Sequence, residues 1–216
     1  MSLPTAHYIA VEGPVGVGKT SLAELLAQRL RARTLLELAE HNPFLKEFYT
    51  DMRRYAFQAQ LYFLLNRYRQ QQELVQRNLF DEFTISDYLF QKDKVFAYMN
   101  LDEGELLIYE RLFSLLEPQV PKPDLVIYLS AETDVLLRRI RGRSIDYERH
   151  ISESYVHQVN EAYKHFFHYY TASPLLVINT STIDFVKHAD ELDDLARQIE
   201  RMDRGVRYYV PLGSEP

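Results

Sequence analysis

The chain has 216 residues, 46% of them hydrophobic, which is enough to bury a core in one domain or at most two. Its formal net charge of −6 argues against a nucleic-acid-binding surface, and the absence of cysteine excludes disulfides, thiolate catalysis and cysteine-based metal sites. The first residues lack the pattern of a signal peptide, and no apolar run approaches the roughly 20 residues of a membrane span. Composition therefore predicts a cytoplasmic protein with no membrane and no nucleic-acid partner.

Short apolar runs alternate with helical periodicity along the chain. The runs predicted to be buried strands are residues 7–11, 34–37, 83–87, 125–129 and 175–179. The longest helical stretch begins at Asn42-Pro43, a capping residue followed by proline, and extends into the low seventies. Further helices are predicted at about 88–99, 103–117, 132–141, 152–170 and 188–202. This alternation predicts an α/β fold with a parallel sheet, helices on both faces and ligands bound at the carboxyl ends of the strands.

The most specific motif lies between the first strand and a helix. It reads Gly13-Pro14-Val15-Gly16-Val17-Gly18-Lys19-Thr20, is followed by Ser21, and matches G-x-x-x-x-G-K-[ST] in full. Its glycines let backbone N–H groups surround an anion, and the helix N-terminus adds partial positive charge. Lys19 is predicted to reach the β- and γ-phosphates and to act in catalysis, and the Thr20 hydroxyl is predicted to bind Mg²⁺. The motif, with Ser21, therefore predicts binding of ATP or GTP.

Glu37 ends the second predicted strand, at the sheet edge where ligands bind. A carboxylate at this position points towards the γ-phosphate and can accept a proton from an attacking hydroxyl group. By position alone, a solvated glutamate ahead of a helix is the alternative interpretation.

An arginine cluster, Arg139-Ile140-Arg141-Gly142-Arg143, follows the fourth strand and its helix. Guanidinium groups there can fold over a nucleotide and match the dispersed charge of a transferring phosphoryl group. A run of charges also fits a solvated helix face. The phosphate-binding loop (P-loop) that Gly13–Thr20 predicts in the same chain favours the first interpretation, a lid over the nucleotide.

Together these motifs resemble the deoxynucleoside kinase family, and they look closest to its bacterial deoxyadenosine/deoxyguanosine kinases. The resemblance extends from about residue 7 to about residue 200. It implies the three-layer P-loop kinase fold, in which a five-stranded parallel sheet of order 2-3-1-4-5 carries helices on both faces and a lid. We therefore expect a kinase domain at 1–204 and a C-terminal tail at 205–216.

The resemblance implies substrate roles for residues of the second strand and the long helix. Glu37 matches the family's general base, although Leu38 stands where the family usually has proline. Tyr49 falls where the family hydrogen-bonds the sugar 3′-hydroxyl. Gln60 and Arg67 fall where a glutamine amide and an arginine contact the base, and such an amide can donate and accept at once.

The residues after the third strand match the family only in part. Asp87 matches the acidic residue of the Asp/Glu-Arg-Ser motif, which supports Mg²⁺ and the phosphate site, and Asp93 matches a residue that reads the base. Tyr88 occupies the place of the motif's arginine, so one positive charge near the phosphate is unaccounted for. Lys92 or Lys94 is predicted to supply that charge.

The arginine cluster also matches the family without a gap. Arg139 and Arg143 fall on the lid arginines that stabilise the transition state, and Glu148 falls on the glutamate that holds the 3′-hydroxyl. Ile145 stands at a further lid position that is usually arginine, and Arg141 is the candidate replacement.

The resemblance implies ATP-dependent, Mg²⁺-assisted phosphorylation of a deoxynucleoside 5′-hydroxyl in nucleotide salvage. Asp184-Phe185 resembles the loop that cradles the adenine of ATP. Deoxyadenosine or deoxyguanosine is the expected substrate, with deoxycytidine as a further candidate. A homodimer is expected, with the helices near 43–75 and 103–117 available to pack.

Two other functions remain open at this point. A nucleoside monophosphate kinase of the thymidylate type shares the P-loop and the lid, but it would need an arginine clamp where this chain has Glu37 and Tyr49. A non-catalytic nucleotide-binding subunit would fit the two departures at Tyr88 and Ile145.

Overall fold

The computed structural model describes residues 7–77, 83–143, 145, 148 and 150–211. Within them six parallel strands form one sheet in the order β2-β3-β1-β4-β5-β6. The strands are β1 (Tyr8–Glu12), β2 (Arg33–Leu35), β3 (Thr84–Ser86), β4 (Leu125–Ser130), β5 (Leu175–Asn179) and β6 (Val206–Tyr209). The α/β class and the order 2-3-1-4-5 are confirmed, and a sixth strand extends the predicted five.

The sixth strand lies in the segment that the sequence predicts as a tail, 205–216. Gly205 turns the chain with a φ of 71°, and Val206–Tyr209 then pairs in parallel with β5. This strand is at the sheet edge and partly exposed, so it lacks the continuous apolar run of a strand buried on both faces. Residues 1–6 of the predicted domain and residues 212–216 of the predicted tail lie outside the described residues.

Eight α-helices occur among the described residues. They are α1 (Lys19–Leu30), α2 (Leu45–Thr50), α3 (Met52–Arg77), α4 (Asp93–Asn100), α5 (Glu103–Leu116), α6 (Thr133–Arg143), α7 (Glu153–His168) and α8 (Ala189–Glu200). The helices predicted near 103–117, 132–141, 152–170 and 188–202 are confirmed to within a few residues. No described helix combines the length and the apolar character that a membrane span requires.

The predicted long helix from Asn42 is divided into α2 and α3. Asp51 separates them because its backbone is not helical, with φ −141° and ψ 84°, and its side chain accepts a hydrogen bond from Arg54 N at 3.2 Å. Asn42 does not cap a helix as predicted. Its amide is buried, accepts from Phe44 N and donates to Ala59 O, both at 3.0 Å, and so fixes the entry loop to α3.

The sheet separates two apolar layers. On β1, Ile9 and Val11 pack in the layer that includes α1, α6 and α8, whereas Tyr8 and Ala10 pack in the layer that includes α2, α3, α4 and α7. Because both faces of the sheet are covered, the interior strands β4 and β5 are largely apolar runs. The three-layer architecture places the carboxyl ends of β1, β2 and β3 next to the start of α1, where the functional residues converge.

Candidate active site

The P-loop joins β1 to α1 in a conformation that depends on glycine. Gly16 and Gly18 have φ angles of +85° and +104°, which other residues rarely adopt. A Cβ on Gly13 would lie 2.3 Å from the carbonyl oxygen of Leu129 on β4. Lys19 begins α1 and donates to Gly13 O at 2.8 Å, so its side chain lies along the loop. The backbone geometry is that of an anion-binding turn at a helix N-terminus.

Two oxygen-bearing side chains meet beside the P-loop. The Thr20 hydroxyl donates to Asp87 Oδ2 at 2.5 Å, and Asp87 Oδ1 accepts from Glu37 N at 2.7 Å. Burial raises the pKa of Asp87, although these hydrogen bonds oppose the shift. The described residues hold no cluster of three metal-binding side chains. Thr20 and Asp87 nevertheless fit Mg²⁺ chemically, because this ion commonly binds one or two protein oxygens together with substrate phosphates.

Glu37 lies two residues after β2 and is held by two cations. Arg67 Nε donates to Glu37 Oε1 at 2.6 Å, and Lys92 Nζ donates to Oε2 at 3.0 Å. Burial raises the pKa of Glu37, but Arg67 and then Lys92 lower it by more, to about 2. The side chain is 17% exposed and faces the cavity described below. Glu37 is therefore an ionised, fixed carboxylate and not the solvated residue of the alternative interpretation.

Asp93 is fully buried at the start of α4 and organises the residues predicted to read the base. It accepts hydrogen bonds from Arg67 Nη1, from Gln60 Nε2 at 2.7 Å and from the Tyr109 hydroxyl at 2.8 Å. Gln60 Nε2 also donates to Asp93 O at 2.9 Å. Both amide hydrogens of Gln60 are thus used, and only its oxygen is left for a ligand. Tyr109, on α5, was missed by the sequence analysis.

A cavity of about 370 Å³ opens between the P-loop, α3 and α4. The predicted site residues that line it are Val15, Gly16, Lys19, Thr20, Glu37, Tyr49, Gln60, Arg67, Asp87, Arg143 and Glu148. Asp93 is not among the lining residues, because it lies behind Gln60 and Arg67. Phe63 and Phe96 contribute flat apolar walls that the sequence analysis did not anticipate.

A second cavity, of about 260 Å³, lies on the other side of the P-loop. Asp184 and Phe185 line it, and Phe185 packs on Gly18, with its Cζ 3.0 Å from the position that a Cβ on Gly18 would take. Arg139 donates to Thr180 O at 2.7 Å and to Ile183 O at 3.0 Å. Arg139 thus fixes the loop after β5 at this second cavity. It does not line the first cavity, so its position differs from the one expected for a catalytic arginine.

The other residues predicted to form the lid also differ in which cavity they line. Arg143 lines both cavities and donates to Glu148 Oε1 at 2.9 Å and to Oε2 at 3.1 Å. Burial raises the pKa of Glu148, and Arg143 opposes that shift. Ile145 lines the first cavity, but Arg141, the candidate replacement, is exposed and paired with Glu153. The prediction that Arg141 compensates is therefore not supported by its position.

Of the two lysines proposed to replace the charge missing at Tyr88, Lys92 lies at the first cavity. The Tyr88 ring is fully buried, and its hydroxyl accepts from Gln71 Nε2 at 3.3 Å. Lys92 lines the first cavity and contacts Glu37, whereas Lys94 lies 3.7 Å from Glu117, outside that cavity. Of the two lysines predicted to replace the arginine, only Lys92 reaches the site.

Glu12 is a second residue that the sequence analysis missed. It ends β1 and is fully buried, and its carboxylate accepts from Gly13 N at 2.8 Å, Tyr163 OH at 3.1 Å and Leu89 N at 2.7 Å. These bonds join the P-loop to the segment after β3. A carboxylate that closes an apolar strand directly ahead of a P-loop is the signal that would have identified it.

The P-loop follows the carboxyl end of the interior strand β1, and a cavity lined by carboxylates lies beside it. This combination is typical of a nucleotide-dependent phosphotransferase. Comparison with known proteins narrows this class. The chain matches the deoxynucleoside kinase family over residues 9–202. It is 32% identical to the deoxyguanosine kinase of Bacillus subtilis (strain 168) over 203 residues, covering 92% of this chain and 98% of that one. It is 31% identical to the deoxyadenosine/deoxycytidine kinase of the same strain over 204 residues, covering 91% and 93%.

Solved structures agree on the fold. A deoxyadenosine kinase from M. mycoides, determined with dCMP and dCDP, is similar with a TM-score of 0.74 and 24% identity, covering 89% of this chain and 97% of that one. The chain therefore belongs to the deoxynucleoside kinase family. It is an enzyme that phosphorylates a deoxynucleoside on its 5′-hydroxyl.

Proposed function

We propose that this kinase uses ATP and Mg²⁺ to phosphorylate deoxyadenosine and deoxyguanosine, with deoxycytidine as a further substrate. The observation that carries the proposal is the position of Glu37, which lies between the P-loop and the Gln60–Arg67 end of the first cavity. The relatives named for deoxyguanosine and for deoxyadenosine and deoxycytidine support this choice of bases. A cytoplasmic location remains a prediction from the sequence.

In the proposed reaction, Glu37 accepts the proton of the 5′-hydroxyl as the phosphoryl group arrives. Phosphoryl transfer needs little covalent help from the protein, so a weakly basic carboxylate is adequate if it orients the nucleophile. Lys19 and Arg143 stabilise charge on the transferring group, and Thr20 and Asp87 would hold Mg²⁺. When bound, Mg²⁺ neutralises negative charge on the β- and γ-phosphates.

The nucleoside would lie with its sugar between Tyr49 and Glu148 and its base between Phe63 and Phe96. The Gln60 oxygen and the N–H groups of Arg67 that Glu37 and Asp93 do not use would then face the edge of the base. Arg67 contacts Glu37 through Nε and Nη2 and contacts Asp93 through Nη1. A base edge that cannot satisfy these buried groups would be rejected strongly.

The ATP side of the site would be the second cavity. Asp184 and Phe185 would border the adenine, and Arg139 would position their loop through its bonds to backbone carbonyl oxygens. Arg143, which lines both cavities, would contact the phosphate chain between them.

We also propose a homodimer, formed through α3 and α5. Leu65 on α3 and Leu107, Ile108 and Leu115 on α5 are each more than half exposed, and the two helices contact each other. Large apolar side chains grouped on neighbouring helices are typical of an interface. The partner that fits them is a second copy of this chain.

The proposal is tested by offering all four deoxynucleosides, and separately their 5′-monophosphates, with ATP and Mg²⁺ to the wild type and to Glu37→Gln. Loss of a general base lowers kcat about 10²- to 10⁴-fold, and we expect a loss in that range. Glu40→Gln is the matched control, because Glu40 lines the same cavity but is exposed, and it should retain wild-type turnover.

Each alternative function makes a different prediction in this assay. Turnover of nucleoside monophosphates alone would establish the thymidylate-type kinase. ATP binding without turnover of any acceptor would establish a binding subunit. Glu37→Gln with wild-type kcat would show that Glu37 is not the base.

A further inference from the structure

Lys92 is a buried lysine at the reacting end of the first cavity. It ends the short 3₁₀-helix Phe90–Lys92 that follows β3, and it is only 3% exposed. Its Nζ lies 3.0 Å from Glu37 Oε2 and 3.9 Å from Glu12 Oε2. Burying an ammonium group is costly unless charged partners and hydrogen bonds compensate for the loss of water.

The contacts of Lys92 place it on the phosphate side of Glu37. Glu12, its second partner, accepts a hydrogen bond from the P-loop at Gly13 N, 2.8 Å away. Arg67 holds the other oxygen of Glu37 and is itself tied to Asp93, behind the predicted base site. The two cations on Glu37 thus face opposite ends of the cavity.

Lys92 and the P-loop lysine, Lys19, line the same cavity. Burial lowers the pKa of Lys19, and the positive charge of Lys92 lowers it further. Two ammonium groups that line one cavity beside a phosphate-binding loop are stabilised when an anion binds in that cavity. A transferring phosphoryl group, with charge spread over three equatorial oxygens, is such an anion.

Among the described residues, the other cations that line the first cavity are Lys19, Arg67 and Arg143. Arg67 is bound by Glu37 and Asp93, and the exposed Arg143 is bound by Glu148. Tyr88, which stands where the family has arginine, points into the core and cannot contribute charge. Lys92 has three donor hydrogens, so it can keep Glu37 and still contact a phosphoryl oxygen.

We propose that Lys92 is a catalytic residue that binds an equatorial oxygen of the transferring phosphoryl group while it holds Glu37. The 5′-oxygen forms its bond to the γ-phosphorus as the bond from that phosphorus to the bridging oxygen of the nucleoside diphosphate breaks. The hydroxyl proton passes to Glu37, and Lys92 stays protonated throughout. The proposal rests on the role of Glu37 proposed above.

The test compares Lys92→Met, Lys92→Ala and Lys92→Arg with Lys94→Met, a matched control on the outer lysine. Removing one preorganised donor to transition-state charge costs about 10²- to 10³-fold in kcat, and we expect that loss for Lys92→Met with KM changed only a few-fold. Lys92→Arg should keep at least a tenth of the wild-type kcat. Added methylammonium should raise the kcat of Lys92→Ala at least tenfold.

The readouts separate catalysis from a structural role. A Lys92→Met kcat within threefold of wild type would overturn the proposal. So would a loss of kcat that comes with a lower melting temperature and that neither methylammonium nor Lys92→Arg restores. The activity of the wild type and its loss in Glu37→Gln are measured separately. If Lys92 proves not to be catalytic, these two measurements still test the proposed function.

Discussion

Replacing Asp93 by asparagine tests the hydrogen-bond network behind the first cavity. One carboxylate oxygen of Asp93 accepts from Arg67, and the other accepts from Gln60 at 2.7 Å and Tyr109 at 2.8 Å. Asparagine has the same shape but only one acceptor atom. Either orientation of its amide therefore places an NH₂ group against at least one buried donor.

The structure sets the size of the effect. Leaving a buried donor unsatisfied costs about 1–3 kcal/mol, and removing one partner of a buried ion pair costs about 3–5 kcal/mol. Glu37 still compensates the charge of Arg67, so we expect Asp93→Asn to lower the free energy of unfolding by about 3 kcal/mol, near the bottom of the ion-pair range. For a chain of this length, that loss lowers the melting temperature by about 6–12 °C.

Urea and thermal unfolding at pH 7 measure this difference, with the exposed Asp203→Asn as control. The control should stay within about 0.5 kcal/mol of wild type. The double variant Arg67→Met/Asp93→Asn should lose less than the sum of its single changes, because the two side chains share one interaction. Asp93→Asn with wild-type stability would refute the reasoning.

Two further predictions concern the P-loop and the dimer. Gly13→Ala should abolish measurable ATP binding, because its Cβ would lie 2.3 Å from the backbone oxygen of Leu129. Gly142→Ala is the control: its Cβ meets no atom within 4 Å, and the change should stabilise α6 by about 0.5–1 kcal/mol. Calorimetric titration with ATP measures the loss of binding in Gly13→Ala, and the melting temperature measures the stabilisation in Gly142→Ala. Leu107→Lys/Leu115→Lys should convert a dimer to a monomer in light scattering after gel filtration, and a monomeric wild type would contradict the dimer.

The sequence identified β1, β4 and β5 most clearly, because their largely apolar runs are visible without knowledge of the fold. The edge strand Val206–Tyr209 was not identified because it is partly exposed, and the separation of α2 from α3 was not identified because a single non-helical residue, Asp51, interrupts a continuous helical pattern. Neither a partly exposed edge strand nor a single non-helical residue is visible in local hydrophobic periodicity.

The sequence by itself determined the P-loop and its phosphate chemistry, because glycine spacing, Lys19 and Thr20 lie within eight consecutive residues and act through local backbone geometry. The sequence also located the carboxylate Glu37, because the end of a parallel strand is a predictable position. Only the tertiary structure decided which cations hold that carboxylate. Arg67 and Lys92 lie 30 and 55 residues away, and folding alone brings both to its two oxygens.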